Sequence, residues 1–142
     1  MGDPRKTTDN ELIGYRGQTF KFDNSIVYDA AQGGGAAQVG LAVTMTGDEQ
    51  VGLVGDAERV VGKLITVDKD GFCTVQIEGG CTLPAGDGAT VTNGNKIVGD
   101  LGVGGAKGYI RNAAVTAAEN ATGAHEIQND AVATAVKVML GR

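Results

Sequence analysis

Apolar and polar residues alternate along this chain in short bursts, and glycine or an Asx pair interrupts nearly every burst. Alternation with period two marks a strand with one buried face, whereas a 3.6-residue period marks a helix. On that basis "QTFKF" (18–22) and "SIVY" (25–28) are predicted strands separated by Asp23-Asn24, a turn signal. "AAQGGGAA" (30–37) is a predicted loop and "QVGLAVTM" (38–45) another strand. "EQVGLV" follows Thr46-Gly47-Asp48, then "GDAER", then "VVGKLITV" (60–67).

The stretch "VDKDGFCTVQIEGG" (67–80) has the clearest pattern. Its Asp-Lys-Asp-Gly is a hydrophilic turn in which Gly71 takes the positive φ that a hairpin requires. Beyond the turn, Cys73, Val75 and Ile77 share one face, and Phe72, Thr74, Gln76 and Glu78 share the other. Cys81 and Leu83 keep the inward parity provided Gly79-Gly80 adds no bulge. From 81 to 111 glycine punctuates pairs of apolar residues every few positions, the spacing of a barrel or sandwich.

The helical period occurs once, weakly, in "NAAVTAAENATG" (112–123), where Gly123 is a candidate C-cap. The last apolar segment, "AVATAVKVML" (131–140), puts Val132, Thr134, Val136, Val138 and Leu140 on one face and Lys137 on the other. That is a closing strand. The expected fold is therefore all-β, a small β-barrel or sandwich of short strands with at most one short helix. The polar, mixed-charge residues 1–17 show no sustained period and form an expected extended N-terminal arm, leaving 18–142 as a single β-rich domain.

Composition changes this picture in one respect. Of 142 residues, 24 are glycine, none is Trp, and only three each are Tyr and Phe. Burial must come from Val, Ile, Leu and Ala, each large aliphatic side chain contributing about 1.5–3 kcal/mol. Each glycine adds backbone entropy that folding must overcome. Short elements, tight turns and help from contacts outside the monomer are the expected remedy. The net charge of −5 lacks the basic face that a nucleic-acid binder needs. No apolar run approaches the ~20 residues of a membrane-spanning helix. "MGDPRKTTDN" has no apolar signal core, so a soluble protein made in a reducing cytoplasm is expected, without a disulfide framework.

Each candidate chemical motif in the chain departs from the spacing or extent its chemistry requires. Counting from Asp68, an EF-hand loop would require an oxygen ligand at Phe72, glycine three places after the second aspartate, where Cys73 stands, and a glutamate at Gly79. Lys69, beside aspartates at a hairpin tip, resembles the carrier lysine of lipoyl domains only over these few residues. "GDLGVGGAKG" (99–108) lacks the phosphate-loop order, because Gly108 follows Lys107 where Ser or Thr is needed. "GGGAAQVG" (33–40) misses the dinucleotide fingerprint. Ser25 is the single serine, and no nucleophile motif surrounds it. His125, the single histidine, has no neighbouring cysteine or carboxylate cluster for zinc, and strand-buried Cys73 or Cys81 would be inert as its catalytic partner. No catalytic, metal or cofactor site is expected.

The run "VGKLITVDKDGFCTVQIEGGCTLPAGDGATVTNGNKIVGDLGVGGAKGYIR" (61–111), with the terminal "ATAVKVML", resembles capsid cement (head decoration) proteins of tailed bacteriophages. The shared order is a strand, an acidic D-G turn and a "VQIEGGCTLPAG"-like strand, followed by an I/V-V pair, a "GYI" strand and a Val-rich last strand. The likeness covers about half the chain and consists of a texture of glycines and small residues; nothing before residue 38 takes part. It implies a structural protein, not an enzyme, that binds the major capsid protein on the outer surface of the virion. It also implies self-association, as a trimer in preference to a dimer, without nucleic acid, membrane or cofactor. Within that picture Tyr15, Arg16, Phe20 and Phe22 are candidate capsid contacts, with "TFKF" adding as a strand to a partner's sheet edge. Phe20 and Phe22 equally fit the domain's own first strand.

Overall fold

The structure is a computed structural model, and it describes residues 15–114, 122–127 and 135–141. The strands run β1 (Arg16–Phe22), β2 (Ala42–Gly47), β3 (Gln50–Leu53), β4 (Gly62–Val67), β5 (Phe72–Pro84), β6 (Ile97–Asp100), β7 (Tyr109–Asn112), β8 (Glu126–Ile127) and β9 (Ala135–Leu140). Among the described residues the complete helical elements are two single 3-10 turns, Gly33–Gly35 and Val103–Gly105, and Thr122 is a further helical residue. The fold is all-β, as the alternation predicts. The helix expected over 112–123 falls largely outside the described residues, as do residues 1–14 of the expected arm and Val132 and Thr134 of the last strand.

Two closed rings share the 13-residue strand β5. In the first, β1 pairs with β3, β3 with β2, β2 with β4, β4 with the first half of β5, and that half returns to β1. Closure removes the open sheet edge that would otherwise template aggregation. Its core joins Phe20, Ile26, Val43, Val51, Leu64, Val67, Cys73 and Val75.

In the second ring the far half of β5 pairs with β9, from Gly79 opposite Leu140 to Pro84 opposite Ala135. β9 pairs with β8, and β6 with β7. Two single-residue bridges complete it: Ile97 with Ala124, just before β8, and Ala85, just after β5, with Ile110 of β7. Backbone bonds from Ile127 N–H to Asn95 and from Gly86 N–H to Ile110 reinforce these seams. The second core is entirely aliphatic apart from Cys81, with Leu83, Ile97, Ile110, Ile127, Val136, Val138 and Leu140 at its centre.

Three sequence expectations are corrected. "SIVY" is not a strand: Ile26 is buried, but Val27 and Tyr28 are both exposed, so alternation stops after one residue. Asp23 explains this locally, because its carboxylate accepts from the Ser25 amide and hydroxyl and holds a turn there. The strand expected over 38–45 begins only at Ala42, since turns occupy the preceding residues. Gln76, assigned to the outer face, is fully buried. Its amide Nε2 donates to the carbonyls of Glu78 and Gly80, both at 3.1 Å, on its own strand. Gly79 between them has φ +98°, so Gln76 braces the bend at which β5 leaves one ring for the other.

Candidate functional site

The seam between the rings holds two of the three buried polar side chains of the described residues, Gln76 and His125. A cavity of about 310 Å³ opens there, lined by Gln18 and Phe20 of β1, Arg59 to Val61 before β4, Ile77 and Glu78 of β5, His125 and Gly141. It is where β1, the bend of β5 and the end of β9 converge.

His125 forms its inner wall. The residue is buried and its backbone is left-handed, φ +64°. Left-handed geometry is uncommon for residues with a Cβ, although His, Asn and Asp adopt it more often than most. Both ring nitrogens are engaged. The Gly141 amide donates to Nδ1 at 2.8 Å, which makes Nδ1 an acceptor. Nε2 therefore carries the proton and donates to the Val60 carbonyl, also at 2.8 Å. Burial lowers the imidazole pKa below its ordinary value, partly opposed by the bond to Val60, and the Arg59 charge lowers it further. The ring is thus a neutral tie between the 55–61 segment and the end of β9. It is not poised as a general base, because its acceptor nitrogen already has a donor.

The sequence candidates fall in three different environments. Arg16 and Tyr15 are exposed, and the Arg16 guanidinium reaches the Glu78 carboxylate at 3.5 Å on the cavity rim. Both side chains stay largely in water, so this pair contributes little to stability. Phe20 lies opposite Cys73 in the β1–β5 ladder and is buried in the first core, and Phe22 packs half-buried against the same core. These two phenylalanines serve the domain's own first strand.

Lys69 is exposed at the β4–β5 turn between exposed Asp68 and Asp70. Gly71 there has φ +94°, the value the hairpin reading requires. Cys73 and Cys81 are both buried, neither is in a disulfide, and they belong to different cores. Burial pushes the Cys73 thiol up to about 11, so it is uncharged at neutral pH and a poor nucleophile. Among the described residues no three His, Cys, Asp or Glu side chains are grouped to hold a metal ion. No described helix is long and apolar enough to cross a membrane.

The sequence did not signal His125 as a tie or Gln76 as a brace. A lone histidine carries no pattern, and Gln76 has the parity of an outward residue. The only hint lay in the Gly79-Gly80 pair that permits the bend. Compared with known proteins, the chain matches no protein-family profile and no curated protein.

Proposed function

We propose that the protein is a structural cement protein that binds the outer surface of a bacteriophage head and bridges neighbouring major capsid proteins. The supporting observation is how the segments that carry the sequence resemblance are deployed. The strand, acidic turn and "VQIEGGCTLPAG" segment are β4, its turn and β5, the strand common to both rings. The "IVGD" and "GYIRN" segments contain β6 and β7, and the Val-rich terminus contains β9. The resembling half of the chain thus builds the frame itself rather than an appended loop. A closed frame suits a clamp: many weak contacts repeated over one shell add through multivalency, and none of them requires a reactive group. Self-association as a trimer belongs to the same proposal.

Electron microscopy of the protein mixed with empty phage heads tests it. Ordered knobs at fixed lattice positions are expected; bare heads at saturating protein would overturn the reading. Removal of residues 1–14 leaves β1 whole and is expected to abolish tight decoration. Unchanged decoration by that truncated protein would refute the arm as the anchor.

One observation favours a second reading. Lys69 stands exposed at a hairpin tip flanked by aspartates, the presentation that a lipoyl-like carrier needs. Intact mass after co-expression with a lipoyl ligase decides it: an added mass lost in Lys69→Arg would establish the carrier role.

A further inference from the structure

We propose that His125 is a proton-operated latch on the end of β9, closed by its neutral imidazole and opened when that imidazole gains a second proton. The inference is independent of the capsid reading.

It rests on hydrogen-bond direction. Nε2–H donates to Val60, and Nδ1 accepts from the Gly141 amide. A second proton can enter only at Nδ1, which would then point N–H against N–H at Gly141. That bond cannot survive protonation, whereas the one to Val60 can. The consequence is therefore directional: the end of β9 is released and the 55–61 segment keeps its tie. A route for the proton exists, since the ring borders the rim cavity rather than a sealed core.

Charged groups from each surrounding element set the balance. Arg59, from the segment before β4, opposes the imidazolium. Glu78, from β5, borders the same cavity and would favour it, but it is already engaged by Arg16 of β1. Gln18 of β1 cannot titrate, Glu126 beside His125 is exposed, and Gly141 after β9 contributes only its backbone. Burial, the largest influence, acts in the same direction as Arg59.

The sign follows. A histidine whose folded pKa lies below its unfolded value binds its proton first in the unfolded chain. The latch is fully effective above the ordinary histidine value of about 6.5 and weakens as pH falls through it. Over each pH unit between the unfolded and folded values the closed state loses up to about tenfold in relative population.

Because the chain has a single histidine, its NMR signals are unambiguous. The test follows the His125 tautomer and titration together with amide-exchange protection at Gly141 and along β9 and β4, in wild type and His125→Gln. Expected is an Nε2–H tautomer that stays neutral below about pH 6.5. Below that value Gly141 should lose protection by up to about tenfold per pH unit, until the folded ring is itself protonated, while β4 amides keep theirs. In His125→Gln, which keeps a donor and an acceptor but cannot titrate, that response should vanish. Three results would each overturn the latch: titration at the ordinary value with Gly141 undisturbed, the same Gly141 response in His125→Gln, or simultaneous loss of β4 and β9 protection. Should His125→Gln fail to fold, the wild-type titration and protection data decide alone.

Discussion

The first ring is closed by strand ladders on every side, the shortest of two residue pairs, whereas the second closes through two single-residue bridges. The first core contains an aromatic anchor, Phe20; the second contains none. The second core also borrows Ala42, Val54 and Val60 from elements and connections of the first ring, with no comparable loan in return. Dependence therefore runs one way. A ring with its own ladders and core can persist alone, but one assembled on a borrowed strand and borrowed side chains can persist only while its host does.

Leucine truncation in each ring should expose this asymmetry with the largest effect. Leu64 and Leu83 are both fully buried, and each Leu→Ala change is expected to cost about 2–5 kcal/mol. The cost should be distributed differently. Leu64→Ala lowers amide-exchange protection in both rings, while Leu83→Ala lowers it along β9 and spares β4. Equal losses in β4 and β9 for Leu83→Ala would make the two rings one cooperative unit and end the comparison.

The next effect comes from close backbone approaches, on which the second ring depends. A Cβ placed on Gly99 of β6 would lie 2.1 Å from the Gly55 carbonyl oxygen, so Gly99→Ala must push the β6–β7 hairpin off the first ring. A loss of about 1–3 kcal/mol in chemical denaturation is expected. Gly33→Ala is the control, because a Cβ there meets nothing within 4 Å and should leave stability unchanged or slightly raised. Equal midpoints for the two variants would show that the Gly99 approach is not limiting.

These differences also decide what could be read in advance. The ladders of the first ring follow from alternation in "TFKF", "GKLITV" and "FCTVQI", and the Asp-Lys-Asp-Gly turn announces itself. β9 is equally legible, since Val136, Val138 and Leu140 are buried at period two. What escapes is the joining of the rings. Gly99 against Gly55, Gln76 curling onto its own strand and His125 tying Val60 to Gly141 are contacts between residues distant in sequence or out of phase with the alternation. Phe20 shows the limit of composition: an aromatic near a polar terminus fits a partner-binding arm as well as a first strand, and only its register opposite Cys73 separates the two.

Gln76 tests the shared strand itself at a smaller scale. Gln76→Met keeps the approximate length but removes both donors to the Glu78 and Gly80 carbonyls. The side-chain oxygen has no partner, so its removal offsets part of the loss. A net cost of about 1 kcal/mol is expected, with exchange rising at Gly80 and Cys81 before any other part of β5. Uniform loosening along β5 would show that the bend needs no brace.

The smallest expected effect concerns the ion pair that crosses between the rings. Arg111 of β7 reaches the Asp56 carboxylate at 3.3 Å and lies 3.9 Å from that of Asp100 on the neighbouring strand. Asp56 is more than half exposed, so water and salt screen the inter-ring pair, and Arg111 keeps its bond to the Asn112 carbonyl whatever Asp56 does. A double-mutant cycle with Arg111→Gln and Asp56→Asn should therefore return a coupling below ~1 kcal/mol that shrinks further as salt is added. A coupling several times larger and insensitive to salt would mean that charge, rather than glycine-to-backbone contact, locks the hairpin onto the first ring.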